Sequence, residues 1–213
     1  AGPTSFVAGG ANVSLTATCA NTSTYVWAVN NQPTSCTGVT CPLTFAANTT
    51  QTPITHTVIV APTNAPAMTA TLVMTQAGVA ACNGVTGPTT IVSAASSQTY
   101  VASCANTATY TWTVDGVAVP SCTTASCVVN FATNSTTTTV NHTVQVAPTT
   151  NTAAPASLAI TQAGASACTA LSGPTSVSAA ASTQTYSATC ANTSSYVWKL
   201  AGAIIPTCTG STC

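Results

Sequence analysis

The chain repeats itself, and repetition at a fixed period constrains its fold more than any other feature. Gly-Pro-Thr occurs at Gly2–Thr4, Gly87–Thr89 and Gly173–Thr175, in steps of 85 and 86 residues. TCANTSTYVW, ending at Trp27, returns as SCANTATYTW ending at Trp112 and TCANTSSYVW ending at Trp198. MTQAG (Met74–Gly78) returns as ITQAG (Ile160–Gly164), and Cys82–Cys127 matches Cys168–Cys213 at roughly half its positions without gaps. The first copy is one residue shorter between Trp27 and Cys36, which places the difference in a turn. Two full repeats and about half of a third follow, with borders expected at 1–81, 82–167 and 168–213. The first lacks a leading cysteine, and the third has no counterpart of Leu43–Gly78. A half domain with an open sheet edge is unstable alone. The expectation is a stretch of a longer tandem array; the alternative is that another subunit supplies the missing strands.

Within each copy the apolar residues alternate, with a period of two. Leu15, Ala17 and Cys19 share one face; so do Tyr25, Trp27 and Val29; Leu43 and Phe45; His56, Val58 and Val60; and Ala70, Leu72 and Met74. The second copy repeats this as Tyr100, Ala102, Cys104; Tyr110, Trp112, Val114; Val129, Phe131; His142, Val144, Val146; and Ala156, Leu158, Ile160. The 47 threonines favour strands through β-branching. No segment combines helical spacing with capping signals. Six or seven short strands per copy, broken by Gly, Pro and Asn, predict an all-β chain of tandem β-sandwiches. The Pro-rich segments Ala61–Ala67 and Ala147–Ala156 read as surface loops.

A cysteine on an early strand, a Trp on the next strand and a last strand ending in TQAG resemble the tandem bacterial Ig-like repeat domains of extracellular filaments, stalks and adhesins. The resemblance covers both full copies and the half, and it implies disulfide-stabilised Ig-like β-sandwich repeats of about 86 residues. One departure is plain: the strands carrying His56 and His142 hold no cysteine, so the inter-sheet disulfide of antibody domains is not expected.

The eleven cysteines follow the repeat. Four positions recur: Cys82 and Cys168; Cys19, Cys104 and Cys190; Cys36, Cys122 and Cys208; and Cys41, Cys127 and Cys213. The short C-x4-C loop suits a disulfide at a hairpin tip, predicting Cys36–Cys41, Cys122–Cys127 and Cys208–Cys213. The remaining pairs are then Cys82–Cys104 and Cys168–Cys190, with Cys19 joined to a cysteine outside this sequence. A link from Cys19 to a neighbouring subunit is the rival, since spacing alone leaves connectivity open. A zinc site is the weaker alternative, because His56 and His142 lie over a dozen residues beyond the C-x4-C motif. Disulfides point to an oxidising, extracellular or cell-surface setting.

Charge excludes several functions. Asp115 and Lys199 are the only charged side chains apart from histidine, 1% of the chain against about 25% in ordinary domains. Nucleic-acid binding and docking to anionic lipid both need basic clusters. No apolar run is long enough to span a bilayer. Zero net charge favours association, unless glycans cover the hydroxyl-rich surface. The N-x-[ST] candidates for glycans are Asn12, Asn21, Asn48, Asn134, Asn141 and Asn192, and Ser135–Thr139 is an O-linked candidate.

No catalytic set assembles from the sequence. Asp115-Gly116 reads as a hairpin turn, with Asn30 and Ala201 at the equivalent positions. His56 and His142 read as structural, because no acid is placed to orient either one. Trp27, Trp112 and Trp198 read as core rather than sugar platforms, and Tyr25, Tyr110 and Tyr196 with them. Lys199 reads as solvated. No cofactor is expected, and the chain is not expected to be an enzyme. The leading function is a segment of an extracellular filament or surface appendage that associates with its like, with strand addition as one route. The alternatives are a multivalent adhesin or carbohydrate-binding array, and spacer repeats of a larger surface protein.

Overall fold

The structure is a computed structural model that describes residues 1–150 and 155–213. The expected loop at Ala147–Ala156 therefore lies partly outside the described residues. All the regular elements described are strands. The chain forms two compact units: Ala1–Asn83 with Ser103–Tyr110 and Ala147–Ala156, and Gly84–Ala102 with Thr111–Val146 and Ser157–Cys213.

The first unit opens with β1 (Ser5–Phe6), β2 (Ala11–Thr16), β3 (Tyr25–Val29), β4 (Gln32–Pro33), β5 (Thr40–Phe45), β6 (Ile54–Pro62) and β7 (Ala70–Gln76). They form a five-stranded sheet in the order β1-β7-β6-β3-β4 and a facing antiparallel pair, β2-β5. Alternation decides which side chains meet. Val13 and Leu15, Tyr25 and Trp27, Leu43 and Phe45, Val58 and Val60, and Met74 are buried in one cluster between the sheets. Most of their neighbours in sequence are exposed or partly exposed, with Ala61 beside Val60 a buried exception. That is an Ig-like sandwich built on the expected parity. The short strand β1 runs parallel to β7, with Ser5 opposite Thr75 and Phe6 opposite Gln76.

The same order recurs in β8 (Ala81–Thr86), β9 (Thr90–Ile91), β10 (Ser96–Ala105), β11 (Tyr110–Val114), β12 (Val117–Ala118), β13 (Ser126–Phe131), β14 (Val140–Pro148) and β15 (Ala156–Gln162). The sheets are β12-β11-β14-β15-β9 and β13-β10-β8. Strand β10 runs to Ala105, whereas its counterpart β2 stops at Thr16. β8 lies beside β10, and among the described residues β2 pairs only with β5.

The third copy contributes β16 (Ala167–Ser172), β17 (Ser187–Ala191), β18 (Lys199–Leu200) and β19 (Ala203–Ile204). Its inner face is uncovered. Val85 is 7% exposed and Ile91 7%, but their counterparts Leu171 and Val177 are 67% and 63% exposed. Trp27 and Trp112 are core residues, while Trp198 is only half-buried.

Local chemistry explains the recurring motifs. The β3–β4 turn has Asn30 and Asn31 at φ 51° and 63°; the β11–β12 turn has Asp115 and Gly116 at 51° and 79°. Two consecutive left-handed residues define the tight hairpin turn expected at Asp115-Gly116. The Gly of Gly-Pro-Thr is sterically required: a Cβ on Gly87 would lie 2.4 Å from the Tyr100 ring. The Tyr100 hydroxyl donates to the Pro88 carbonyl at 3.2 Å, and Tyr186 donates to Pro174 at 3.1 Å.

Candidate functional site at the repeat junction

The residues of CAN and QAG, far apart in sequence, meet at one place. Asn106 sits in the left-handed region, at φ 56°, where Asn is tolerated better than most residues. This aims its amide at two carbonyls, and Nδ2 donates to Gln51 O at 2.7 Å and Val79 O at 2.9 Å. Gly78 leaves room for that contact, since a Cβ there would fall 2.0 Å from Gln51 O. The Gln51 and Asn83 amides bond reciprocally at 2.8 and 3.1 Å. Cys82 and Cys104 close the same region, with their sulfurs 1.97 Å apart. In each copy a hydroxyl shapes the loop after the asparagine, with Thr22, Thr107 and Thr193 each donating to a carbonyl two residues on.

The second junction is built the same way. Asn192, at φ 54°, donates to Thr137 O at 2.7 Å and Ala165 O at 3.0 Å. Gly164 stands where Gly78 stands, and Cys168 is 1.97 Å from Cys190. The first copy has the loop without the partner. Asn21 is also left-handed, at φ 57°, but its amide has no hydrogen bond among the described residues. Cys19 is a free thiol.

Removing the junction amide separates its two roles. Asn106→Ala is expected to lower stability by about 2 kcal/mol, from two lost bonds and an alanine forced into the left-handed region. Asn106→Gly keeps the backbone free and should cost about half as much. Urea unfolding of the two variants checks the ordering.

A second cluster sits inside each sandwich. Gln76 is 1% exposed; its Nε2 donates to Ala46 O at 2.8 Å and Ala8 O at 3.1 Å. Its Oε1 meets His56 Nε2 at 3.0 Å. Asn48, equally buried, donates to Thr52 O and Ala77 O at 2.8 and 3.0 Å. Phe6, Phe45 and His56 pack as rings around this group. Gln162, His142 and Asn134 repeat the arrangement.

The two histidines differ in one partner, and here the sequence reading needs correction: an acid is placed on His142. Asp115 Oδ2 lies 2.7 Å from His142 Nδ1, and Asp115 Oδ1 accepts the Thr143 N–H at 2.7 Å. In the first copy the amide of Asn30 stands there, 3.4 Å from His56 Nδ1. Burial pulls the His142 pKa down, but its bonds to Asp115 and Gln162 outweigh that and leave it above the ordinary histidine value. Burial likewise raises Asp115, and the His142 and Thr143 bonds reverse this and leave it below the ordinary value. Both ring nitrogens face acceptors, so the imidazolium fits better than either neutral tautomer. Through these two bonds Asp115 ties the β11–β12 turn to β14.

The sign of the linkage follows. The His142 contribution is complete below its unfolded pKa and fades as pH rises through the raised folded value. The Asp115 contribution is complete above its unfolded pKa and fades as pH falls through the lowered folded value. The second repeat is therefore best stabilised between roughly pH 4 and 6.5. The carboxylate is half exposed, so screening holds the gain to about 0.5 kcal/mol. Asp115→Asn should abolish the gain and move the His142 titration down, as read from its ring resonances by NMR. An unchanged His142 titration would contradict the pairing.

The remaining expected site residues fall as follows. Cys36–Cys41, Cys122–Cys127 and Cys208–Cys213 stand at disulfide distance, with sulfurs 2.00, 2.04 and 1.97 Å apart. In the two complete copies the first two pairs do not close a hairpin tip. β4 pairs with β3, while β5 pairs with β2 in the other sheet, so the C-x4-C loop is a crossover between sheets. The loop also carries the indole's partner: Trp27 Nε1 donates to Gly38 O at 3.0 Å and Trp112 Nε1 to Thr124 O at 2.9 Å. Among the glycan candidates, Asn12, Asn21 and Asn141 are exposed. Asn48 and Asn134 are buried with their amide nitrogens in use, and Asn192 is exposed with its amide nitrogen engaged at the junction. Lys199 is exposed on β18. Among the described residues there is no group of three or more metal-ligating side chains, and no helix long and apolar enough to cross a membrane.

No protein-family model matches the chain. No curated protein sequence matches it either. Solved structures that resemble it include titin domains I67–I69, at 9% identity over 96% of this chain and 78% of that one, with a TM-score of 0.47. The three N-terminal domains of the bacteriophage RB49 Hoc protein are 17% identical over 89% of this chain and 69% of that one, with a TM-score of 0.41. The fibronectin(III)-like modules of Clostridium thermocellum CbhA are 13% identical over 76% and 89%, with a TM-score of 0.32. The strands, register and buried faces described above define the fold class: tandem Ig-like β-sandwich repeats, disulfide-stabilised.

Proposed function

We propose that the chain is a segment of an extracellular filament or surface appendage built from tandem Ig-like repeats bordered at 1–81, 82–167 and 168–213, with no catalytic role of its own. The observation that carries this reading is the junction built twice from the same parts: an αL asparagine on two carbonyls, a glycine and a disulfide. A joint specified in such detail serves a protein whose task is to hold consecutive repeats together. The composition suits the same task. A surface almost without charge has little self-repulsion to oppose association with identical repeats, and strand addition recruits backbone groups rather than charges. Regular disulfides fit an extracellular or cell-surface setting. Glycans on the exposed Asn12 and Asn141 are compatible with it.

Electron microscopy of the native, unreduced material tests the proposal. Long fibres with an axial period equal to the length of one repeat are expected. Discrete beads that never join would overturn it and favour an adhesin.

A further inference from the structure

One edge of the second repeat is an unguarded strand. β13 closes its three-stranded sheet, and among the described residues it pairs only with β10. The Ala102 N–H donates to Ala125 O at 2.8 Å, one step beyond the Val101–Ser126 pair. Bonded and unbonded pairs alternate along an antiparallel ladder. Cys127, Val129 and Phe131 therefore spend their backbone groups on β10, while Ser126, Val128 and Asn130 turn theirs outward. Ser126 O also accepts the Thr124 hydroxyl at 3.0 Å, which leaves it a second lone pair. Val128 O lies 3.9 Å from the Cys122 sulfur, which is bonded to Cys127 and has no proton to give.

The first repeat shows the same edge closed. There the Ala17 N–H donates to Val39 O, so Thr40, Pro42 and Thr44 face outward on β5. Pro42 stands at the place of Val128 and has no N–H to offer, which is an ordinary guard of a sheet edge. Charge is another common guard, and neither strand carries any. The edges of the other sheet, β9 and β12, are two residues each, and β8 is engaged at the junction through Cys82 and Asn83.

We infer that β13 of one chain adds to β13 of a second copy, antiparallel about a two-fold axis at Val128. The segment is self-complementary in that register. Val128, 53% exposed, meets Val128 of the second copy as a β-branched cross-strand pair. Ser126 stands opposite Asn130 of the second copy, and Asn130 opposite its Ser126, so hydroxyl meets amide twice. Asn130 Oδ1 already accepts the Ser97 hydroxyl at 2.5 Å, and its Nδ2 has no partner among the described residues. About six backbone bonds form, and the two-fold closes the contact on itself. Chains are thereby joined side by side. This pairing rests on the reading of the chain as one that associates with its like, and it names the strand and register that do so.

Amide hydrogen exchange on the full, unreduced chain, read residue by residue by NMR, is the test. Exchange of the Val128 and Asn130 amides should slow roughly tenfold from dilute to concentrated solution. The Val129 amide, bonded to β10, should not respond. Val128→Pro copies the first repeat: it removes an outward N–H and no bond to β10, and it should abolish the concentration dependence at Asn130 while Val129 stays protected. Val128→Lys and Val128→Glu keep the N–H but set like charges face to face, and each should associate roughly fivefold more weakly. Their equal mixture should recover the loss, because only the symmetric register puts residue 128 opposite residue 128. Exchange at Val128 and Asn130 that ignores concentration, protection of Asn130 that survives Val128→Pro, or a mixture no tighter than either variant would overturn the inference. Native fibres seen together with such a result would leave the filament standing and place its contact elsewhere. Chains paired at β13 without fibres would uphold the edge and sink the filament.

Discussion

Replacing Trp112 with alanine is expected to lower the stability of the second repeat by about 4 kcal/mol, the usual cost of emptying a large aromatic site from a core. Its ring is 1% exposed, and its Nε1 donates to the Thr124 carbonyl in the crossover loop that holds Cys122 and Cys127. The variant therefore loses packing and strands a carbonyl in one step. Trp198→Ala is the matched control, because that indole is only half-buried although it makes the equivalent bond to Gly210 O. Amide hydrogen exchange resolved by repeat is the measurement. Protection should fall across β11, β13 and β14 in the first variant and change far less in the second. Equal losses in both would mean that the covered face contributes little.

Gln76→Leu is the second large effect, at about 3 kcal/mol. The leucine matches the parity of the strand, yet it orphans the Ala46 carbonyl and the His56 ring nitrogen and leaves the Ala8 carbonyl with only the Asn48 N–H. Each unsatisfied buried group costs on the order of 1–3 kcal/mol, partly offset by the apolar side chain gained. Denaturant unfolding followed through Trp27 should show an earlier transition for the first repeat, with Trp112 almost unmoved. A neutral or stabilising Gln76→Leu would show that the glutamine fills space rather than organising the end of the sandwich.

The period-two alternation made the strands legible, because one face of every strand is buried and the other solvated. Leu15, Trp27, Val58 and Met74 are core for the reason their spacing implies. The parity rule is blind to buried polar residues. Gln76 and Gln162 continue the inward face of Met74 and Ile160, and their recurrence in TQAG was the available signal that the motif organises a core. The asparagine of CAN reads as a glycan acceptor in two copies, while its junction role depends on carbonyls 27 and 55 residues away. The Asp115–His142 pair is hidden for the same reason: it depends on β11 lying beside β14 in the sheet, which brings together residues 27 apart. C-x4-C spacing suggested a hairpin tip because it carries no information about which sheet each flanking strand enters.

Single-molecule pulling on the chain, unreduced and then reduced, tests the tandem cross-linked array most directly. Each repeat should give a discrete unfolding step. In the second repeat, Cys82–Cys104 and Cys122–Cys127 hide segments with separations of 22 and 5 residues from extension. Reduction should therefore lengthen that step by about 90 Å, at 3.3–3.6 Å per residue. Equal steps before and after reduction would contradict the cross-linked repeat, and a smooth extension without steps would contradict the array of separately folded sandwiches.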